Sequence, residues 1–373
     1  MTTTLTLSKV YETDVNVAGF QVPGAAVISN GEVIVGYQNG VLAGNPNMKF
    51  VASRDYGTTW ENRTPLIGHP INGAVRMANL PGNVLLFPTG DANDNLTKIM
   101  RSTDGAASWT TAADFNPGGQ LSPTKYVAGF ATYNRDSAIA YGILATSGID
   151  GFESMVARST DHGATWSRES GNTTGAMNSV TYMLAPGPGG LVIACNATNG
   201  VYKSTDNGAT WNGPLALPSP AGSTRDFPFC ATCITDQIIL VGGRYNFASG
   251  NSNAYLCRST DAGSTWSLID ASAIANWPVT TAGISILEIH RLTKRGAILT
   301  FNYNTANSNV PLSFSVDAGV TWTAPTVAGG GWPNANSYPS GSIVVAPDGG
   351  IIIPVAIRPA STFQFQIWRG RIS

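Results

Sequence analysis

The stretch Ser204-Thr205-Asp206-Asn207-Gly208-Ala209-Thr210-Trp211 is one of six copies of the pattern Ser-x-Asp-x-Gly-x-Thr-Trp. The others occupy 53–60 (SRDYGTTW), 102–109 (STDGAASW), 159–166 (STDHGATW), 259–266 (STDAGSTW) and 315–322 (SVDAGVTW). In the second copy Ala106 stands at the glycine position and Ser108 at the threonine. The chemistry of the pattern is that of a tight turn. A short Asp side chain accepts backbone N–H bonds within a reversal, and the glycine takes the positive φ the reversal needs. The Trp opens the next strand and lays its ring over the apolar surface beneath. Such parts stabilise a hairpin rather than form a reaction centre. Asp55, Asp104, Asp161, Asp206, Asp261 and Asp317 therefore read as structural.

Spacing converts the repeat into an architecture. From Ser53 to Ser315 the five intervals average about 52 residues, the scale of a propeller blade. Within a repeat, short β-rich runs alternate with Gly, Pro and Asn turns, as in SVTYMLAPGPGG, LVIACNATNG and VYKSTDNGATW. No long helical periodicity appears and no linker divides the chain. The expectation is an all-β chain, with residues 1–373 forming a single β-propeller domain of four-stranded antiparallel blades. Dividing 373 residues by the period gives seven blades, with six as the alternative. Strand-like runs at 342–346, 351–356 and 363–369 follow the last repeat, and the run 4–10 would supply their fourth strand. That pairing of the N-terminal strand with the C-terminal blade would close the ring and remove exposed sheet edges.

Composition narrows the function. The 21 Lys+Arg nearly balance 22 Asp+Glu, and only 12% of residues are charged, so the basic footprint of a nucleic-acid binder is missing. No apolar run approaches the ~18–20 residues of a membrane span, so no membrane insertion is expected. The first residues, MTTTLTLSKVYETD, show neither a basic n-region nor an apolar h-region, so no signal peptide is read. Cys195, Cys230, Cys233 and Cys257 are too few for a disulfide scaffold. Cys230 and Cys233 sit in FPFCATCITD, a strand in which residues three apart face opposite ways, so buried thiols fit better than a metal site. No His-rich cluster or calcium loop appears. No metal and no cofactor are expected.

The repeat resembles the Asp-box, or bacterial neuraminidase (BNR) repeat, of the sialidase-like β-propellers, and the resemblance covers nearly the whole chain. In that family the box lies between the third and fourth strands of a blade, on the face opposite the active site. Ordinary sialidases have six blades. Phe20-Gln21-Val22-Pro23, followed by AAVISNGEVIVGYQ, resembles the family's Tyr/Phe-Arg-Ile-Pro motif. Gln21 stands where the resemblance places the first arginine of a carboxylate-binding triad, and an amide lacks the charge and fork of guanidinium. Asn336-Ser337-Tyr338-Pro339-Ser340 resembles the start of the last sialidase blade, which makes Tyr338 the nucleophile position. A tyrosine needs a carboxylate to take its proton. Glu288, in SILEIHR, is the candidate, or else a structural charge paired with Arg291. The family's acid/base aspartate has no counterpart here, because Asn45 and Asn47 occupy its loop and Glu32 lies in a turn on the other face.

The loops expected opposite the boxes are 39–47, 91–95, 147–153, 244–252, 302–309 and 358–362. With the segments leading into inner strands they supply Gln21, Arg76, Tyr126, Arg225, Asp226, Arg244, Trp277, Trp332 and Arg358 as candidate ligand-binding residues. Flat rings beside neutral hydrogen-bonding groups suit a sugar, with its apolar C–H faces and rim of hydroxyls. The acids Asp91, Asp94, Asp150, Glu153 and Asp226 would permit a carboxylate-pair glycosidase. Three readings follow. One is a non-catalytic propeller recognising a glycan or cell-surface carbohydrate, extracellular or on a virion such as a phage tail. Another is a glycoside hydrolase using Tyr338 or a loop carboxylate pair. The third is an assembly module binding other virion subunits.

Overall fold

The computed structural model describes residues 3–15, 24–39, 47–63, 66–67, 77–89, 98–114, 126–132, 138–145, 152–168, 181–196, 200–219, 222–247, 252–270, 272, 274–275, 277, 285–292, 296–302, 312–328, 337–339, 343–357 and 363–373. Apart from one short 3-10 turn at Pro188–Gly190, the elements assigned among these residues are β-strands. No helix among them is long and apolar enough to cross a membrane. The chain divides into two compact units, one of Met1–Leu5 with Ser170–Thr326, the other of Thr6–Glu169 with Val327–Ser373.

The second unit holds three repeat-bearing sheets. Their principal strands are Gly24–Val27, Val33–Asn39, Asn47–Ser53 and Glu61–Asn62; then Ala78–Leu80, Val84–Thr89, Lys98–Ser102 and Thr110–Asp114; then Tyr126–Thr132, Ala138–Ala145, Phe152–Ser159 and Ser167–Arg168. The first unit holds the other three. They comprise Thr181–Pro186, Val192–Asn196, Gly200–Ser204 and Asn212–Leu215; then Ser223–Cys233, Ile239–Phe247, Ser252–Ser259 and Ser267–Leu268; then Ser285–Arg291, Ala297–Asn302 and Leu312–Ser315. In the sixth sheet a Phe314–Thr323 bridge stands in for the fourth strand. This is the blade architecture of a β-propeller, antiparallel throughout, with the repeat turn after the third strand of each blade.

Six blades share that plan, one fewer than the spacing predicts. The last residues form a different kind of sheet, six-stranded and without the repeat turn. Dividing length by period counts chain, not turns, and the final stretch keeps the length while lacking the Ser-x-Asp pattern. In this terminal sheet Leu5–Val15 lies beside Phe363–Ile372, which pairs in turn with Ile351–Ile357. Gln366 Nε2 donates to Glu12 Oε2 at 2.8 Å and the Ala328 N–H to the Leu7 carbonyl at 2.9 Å.

The repeat turn folds as its residues dictate. In the third copy Ser159 donates to Asp161 Oδ1 at 2.8 Å and accepts the Gly163 N–H at 2.9 Å. Asp161 Oδ1 accepts the Thr165 N–H at 2.9 Å, and Oδ2 accepts its hydroxyl at 2.5 Å. The second copy keeps the network with Ser108 in place of Thr, its hydroxyl 2.6 Å from Asp104 Oδ2. There Ala106 takes φ 68°, a left-handed conformation that glycine adopts in the other five. At Gly163, φ is 72° and an added Cβ would fall 2.5 Å from Leu86 of the preceding blade, so the position needs glycine twice over.

These networks make the fold acid-sensitive. Partial burial opposes ionisation of Asp161, but bonds from Thr165 and Ser159 outweigh it and hold the carboxyl at about 2. Asp55 and Asp206 balance the same way, also at about 2. For Asp261 the Thr265 hydroxyl leads, again to about 2. Because the folded values lie below the unfolded ones, this stability is fully present above pH ~4. It is lost as pH falls toward 2. Thermal melts at pH 6, 4, 3 and 2.5 should hold steady to about 4 and then drop. A melting temperature flat down to pH 2.5 would contradict the network's role.

Blades within a unit are latched by a basic residue at the end of the third strand. Arg101 Nε donates to the His162 carbonyl at 2.8 Å, and Arg258 Nε to that of Ala318 at 2.9 Å. Arg369 of the terminal sheet does the same to Tyr56 at 2.9 Å. Each acceptor is the left-handed residue of the neighbouring repeat turn.

Candidate functional site

Each repeat sheet has two unlike ends, one carrying the repeat turn and the other free of it. Strand register places the sequence candidates. In the fifth blade Cys233 pairs with Ile239 near the turn end, whereas Arg225 pairs with Asn246, Asp226 with Tyr245 and Phe227 with Arg244 at the far end. The third strand continues the rows, with Ala254 beside Arg244, Asn253 beside Tyr245 and Ser252 beside Asn246. Tyr126 pairs with Ile143, and Tyr338 with Ala356, at the corresponding ends of their own sheets.

Among the described residues, the fifth blade supplies the most complete surface. Arg244 lies with its guanidinium carbon 5.2 Å from the centroid of the Phe227 ring and 5.6 Å from that of Phe229. The two rings are nearly parallel, 12° apart, with centroids separated by 6.4 Å. Asn246, two residues on and on the same face, is half-buried, whereas the exposed Asn253 is in register with Tyr245 on the other face. On the opposite face of the same strand Tyr245 stacks on Tyr255 at 4.3 Å and donates to the Pro218 carbonyl, which ties that side into the core. A bulge between Pro228 and Cys230 creates the arrangement. Straight counting from the hairpin would set Phe227 against Tyr245, but the extra residue moves it to Arg244.

Gly243 makes the bulge sterically possible. A Cβ there would collide with the Phe227 carbonyl oxygen and come within 2.8 Å of the Tyr255 ring. Gly243→Ala is therefore expected to lose about 1–3 kcal/mol in urea melts through strain at this end of the blade. An unchanged midpoint would mean that the bulge relaxes freely.

Glu288 and Trp277 are placed differently from the Arg244 surface. Glu288 is buried, with Oε2 2.8 Å from His290 Nε2. Residues two apart on a strand share a face, which sets His290 beside Glu288, while Arg291 is three residues along. Trp277 is half-buried and packs on the apolar cluster that includes Leu240, Leu256, Ile289 and Trp322. Gln21, Arg76, Trp332 and Arg358 lie outside the described residues, as do Asp91, Asp94 and Asp150. Glu153 lies in the third strand of its blade, opposite Leu144.

All four cysteines are free and buried, as their strand setting predicts. Burial pushes the Cys233 thiol up to about 12, against the opposing influence of Arg291, so it is not a nucleophile at neutral pH. Glu32 sits at the turn end of the first blade, bonded to Arg54 at 3.2 Å and to Arg63, which makes it a structural carboxylate. Among the described residues no group of three or more His, Cys, Asp or Glu is arranged to hold a metal ion.

Fold and site together define a β-propeller with an aromatic–arginine surface at the turn-free end of one blade. No protein-family profile matches the sequence, and no curated protein does. Solved structures match it in fold. YCF48 from Cyanidioschyzon merolae superposes with a TM-score of 0.55 at 14% identity, covering 96% of this chain and 98% of that one. The GH74 enzyme of Niastella koreensis gives 0.50 at 14% identity, over 90% of this chain and 63% of that one. The NanB sialidase of Streptococcus pneumoniae gives 0.47 at 14% identity, over 97% and 70%. At such identities the likeness is one of fold. The neighbours include sialidases and other glycoside hydrolases.

Proposed function

We propose that this chain is a non-catalytic propeller that recognises glycans, extracellular or carried on a virion. The observation that carries the reading is the end of the fifth blade, where Phe227, Phe229 and Arg244 stack, with Asn246 two residues further along on the same face. Aromatic faces take the C–H side of a sugar, while amides and guanidinium bond its hydroxyls. Two sequence features speak against turnover: Gln21 replaces a charged clamp, and Asn45 and Asn47 occupy the loop where the sialidase resemblance needs an acid. Glu288 is engaged with His290. Carbohydrate-active enzymes among the fold neighbours are consistent with this reading.

A glycan-array screen of the wild type beside Phe227→Ala and Tyr338→Phe tests it. The expected result is binding to one coherent glycan class, weakened by Phe227→Ala, unaffected by Tyr338→Phe and without product. Product formation that disappears in Tyr338→Phe would establish a hydrolase instead. Absence of all binding would leave the assembly reading, in which the propeller docks onto other virion subunits.

A further inference from the structure

We infer that the glycan held at this surface is ribbon-like, built of β-linked pyranoses whose successive rings lie parallel, with Phe227 and Phe229 each taking one of two consecutive sugar units. The inference rests on the recognition reading above. The two phenyl rings are nearly parallel, 12° apart, with centroids 6.4 Å from each other on one strand. Adjacent sugars in an extended β-1,4-linked chain are arranged the same way, each presenting a flat C–H face in line with the next. A coiled α-1,4-linked chain turns successive faces away from each other. It can satisfy one ring but not both.

The bulge and the strand order build this ring pair. In an unbroken register Phe229 would stand opposite Gly242, but the extra residue gives that place to the fully buried Cys230. Phe229 is thereby left beside Phe227, and both rings are half-buried, unlike the core rings of Phe50, Phe87 and Phe314. Arg244, on the neighbouring strand, lies against both rings and holds them in line by cation–π contact. Ser223–Cys233 is the end strand of its sheet, so among the described residues the ring faces turned away from Arg244 meet no further strand of that sheet. Those faces are the ones offered to a sugar. Asn246, at the outer end of the row, places an amide for a ring hydroxyl.

The test is calorimetric binding of neutral oligosaccharides of one to four units to the intact chain. Cello-, chito- and manno-oligosaccharides supply ribbon-like backbones, and malto-oligosaccharides the coiled contrast. The expected result is that at least one ribbon series gains about tenfold or more in affinity from one unit to two and little beyond three. Malto-oligosaccharides of equal length should bind at least about tenfold more weakly. Phe229→Ala should bring two-unit affinity down to the one-unit level, with thermal melts showing the variant folded. If Phe229→Ala fails to fold, Phe229→Leu carries the test, because it keeps the bulk and removes the flat face. Preference for the coiled series, or affinity indifferent to the second unit, would overturn the ribbon assignment while binding on the glycan array leaves recognition standing. Length dependence that survives both Phe229 variants would overturn the one-ring-per-sugar pairing. Failure of every oligosaccharide and every array glycan would overturn both readings.

Discussion

Glu32→Ala is expected to lower the unfolding free energy by about 3 kcal/mol, the low end of the range for breaking a buried ion pair. The Glu32 carboxylate is 7% exposed, and it bonds Arg54 at 3.2 Å as well as Arg63, whose side chain is 17% exposed. Asn30 Oδ1 accepts the Glu32 N–H at 3.0 Å, which fixes the carboxylate's strand start. The second repeat turn closes over it, with the Cβ position of Gly105 3.6 Å from Oε2. Removing the acid leaves Arg63 in a pocket built for two charges, with Glu61 at 3.2 Å its one remaining acidic partner among the described residues. Arg54→Ala provides the contrast. Its side chain is 69% exposed, so its loss should cost less than about 1 kcal/mol. Urea melts of the two variants separate the cases. Equal effects would mean that the Glu32 cluster acts as a surface ion pair.

Deleting residues 1–10 is expected to have the largest effect of all. The strand Leu5–Val15 carries the fully buried Leu5 and Leu7, each contributing roughly 1.5–3 kcal/mol by burial. It also covers Phe363–Ile372, whose Phe365, Ile367 and Trp368 are buried. Uncovering that edge presents unpaired backbone to other molecules, so the truncated chain should melt well below the full chain and aggregate on warming. A synthetic peptide of residues 1–15 added in trans should restore part of the lost melting temperature. An unchanged melt after truncation would show that the terminal sheet does not depend on its N-terminal strand.

Much of the fold was legible because the repeat turn is local. Ser159, Asp161, Gly163 and Thr165 satisfy one another within seven residues, so the sequence pattern is the hydrogen-bond pattern. The pairing of both chain ends was legible from a strand-like run lacking a partner at each. The blade count was less so, because the last residues keep the period while abandoning the turn. The site was partly legible. Arg244 was singled out from its loop position, but Phe227 and Phe229 were not, because the bulge at Pro228 that moves Phe227 opposite Arg244 leaves no mark in a straight register count. A Phe-Pro-Phe run facing a Gly-Gly-Arg run is the available signal, since Gly243 is what lets the strands close up there. His290 was not singled out, although its two-residue spacing sets it on the face of Glu288.

The central claim is that recognition occurs at the turn-free end of the fifth blade. The most direct measurement is amide hydrogen exchange of the intact chain with and without the oligosaccharide selected on the array. The account predicts new protection in 223–230, 242–247 and 252–256, with the six repeat turns unchanged. Protection confined to the turns at 53–60, 102–109 or their counterparts, with 242–247 unaffected, would contradict it.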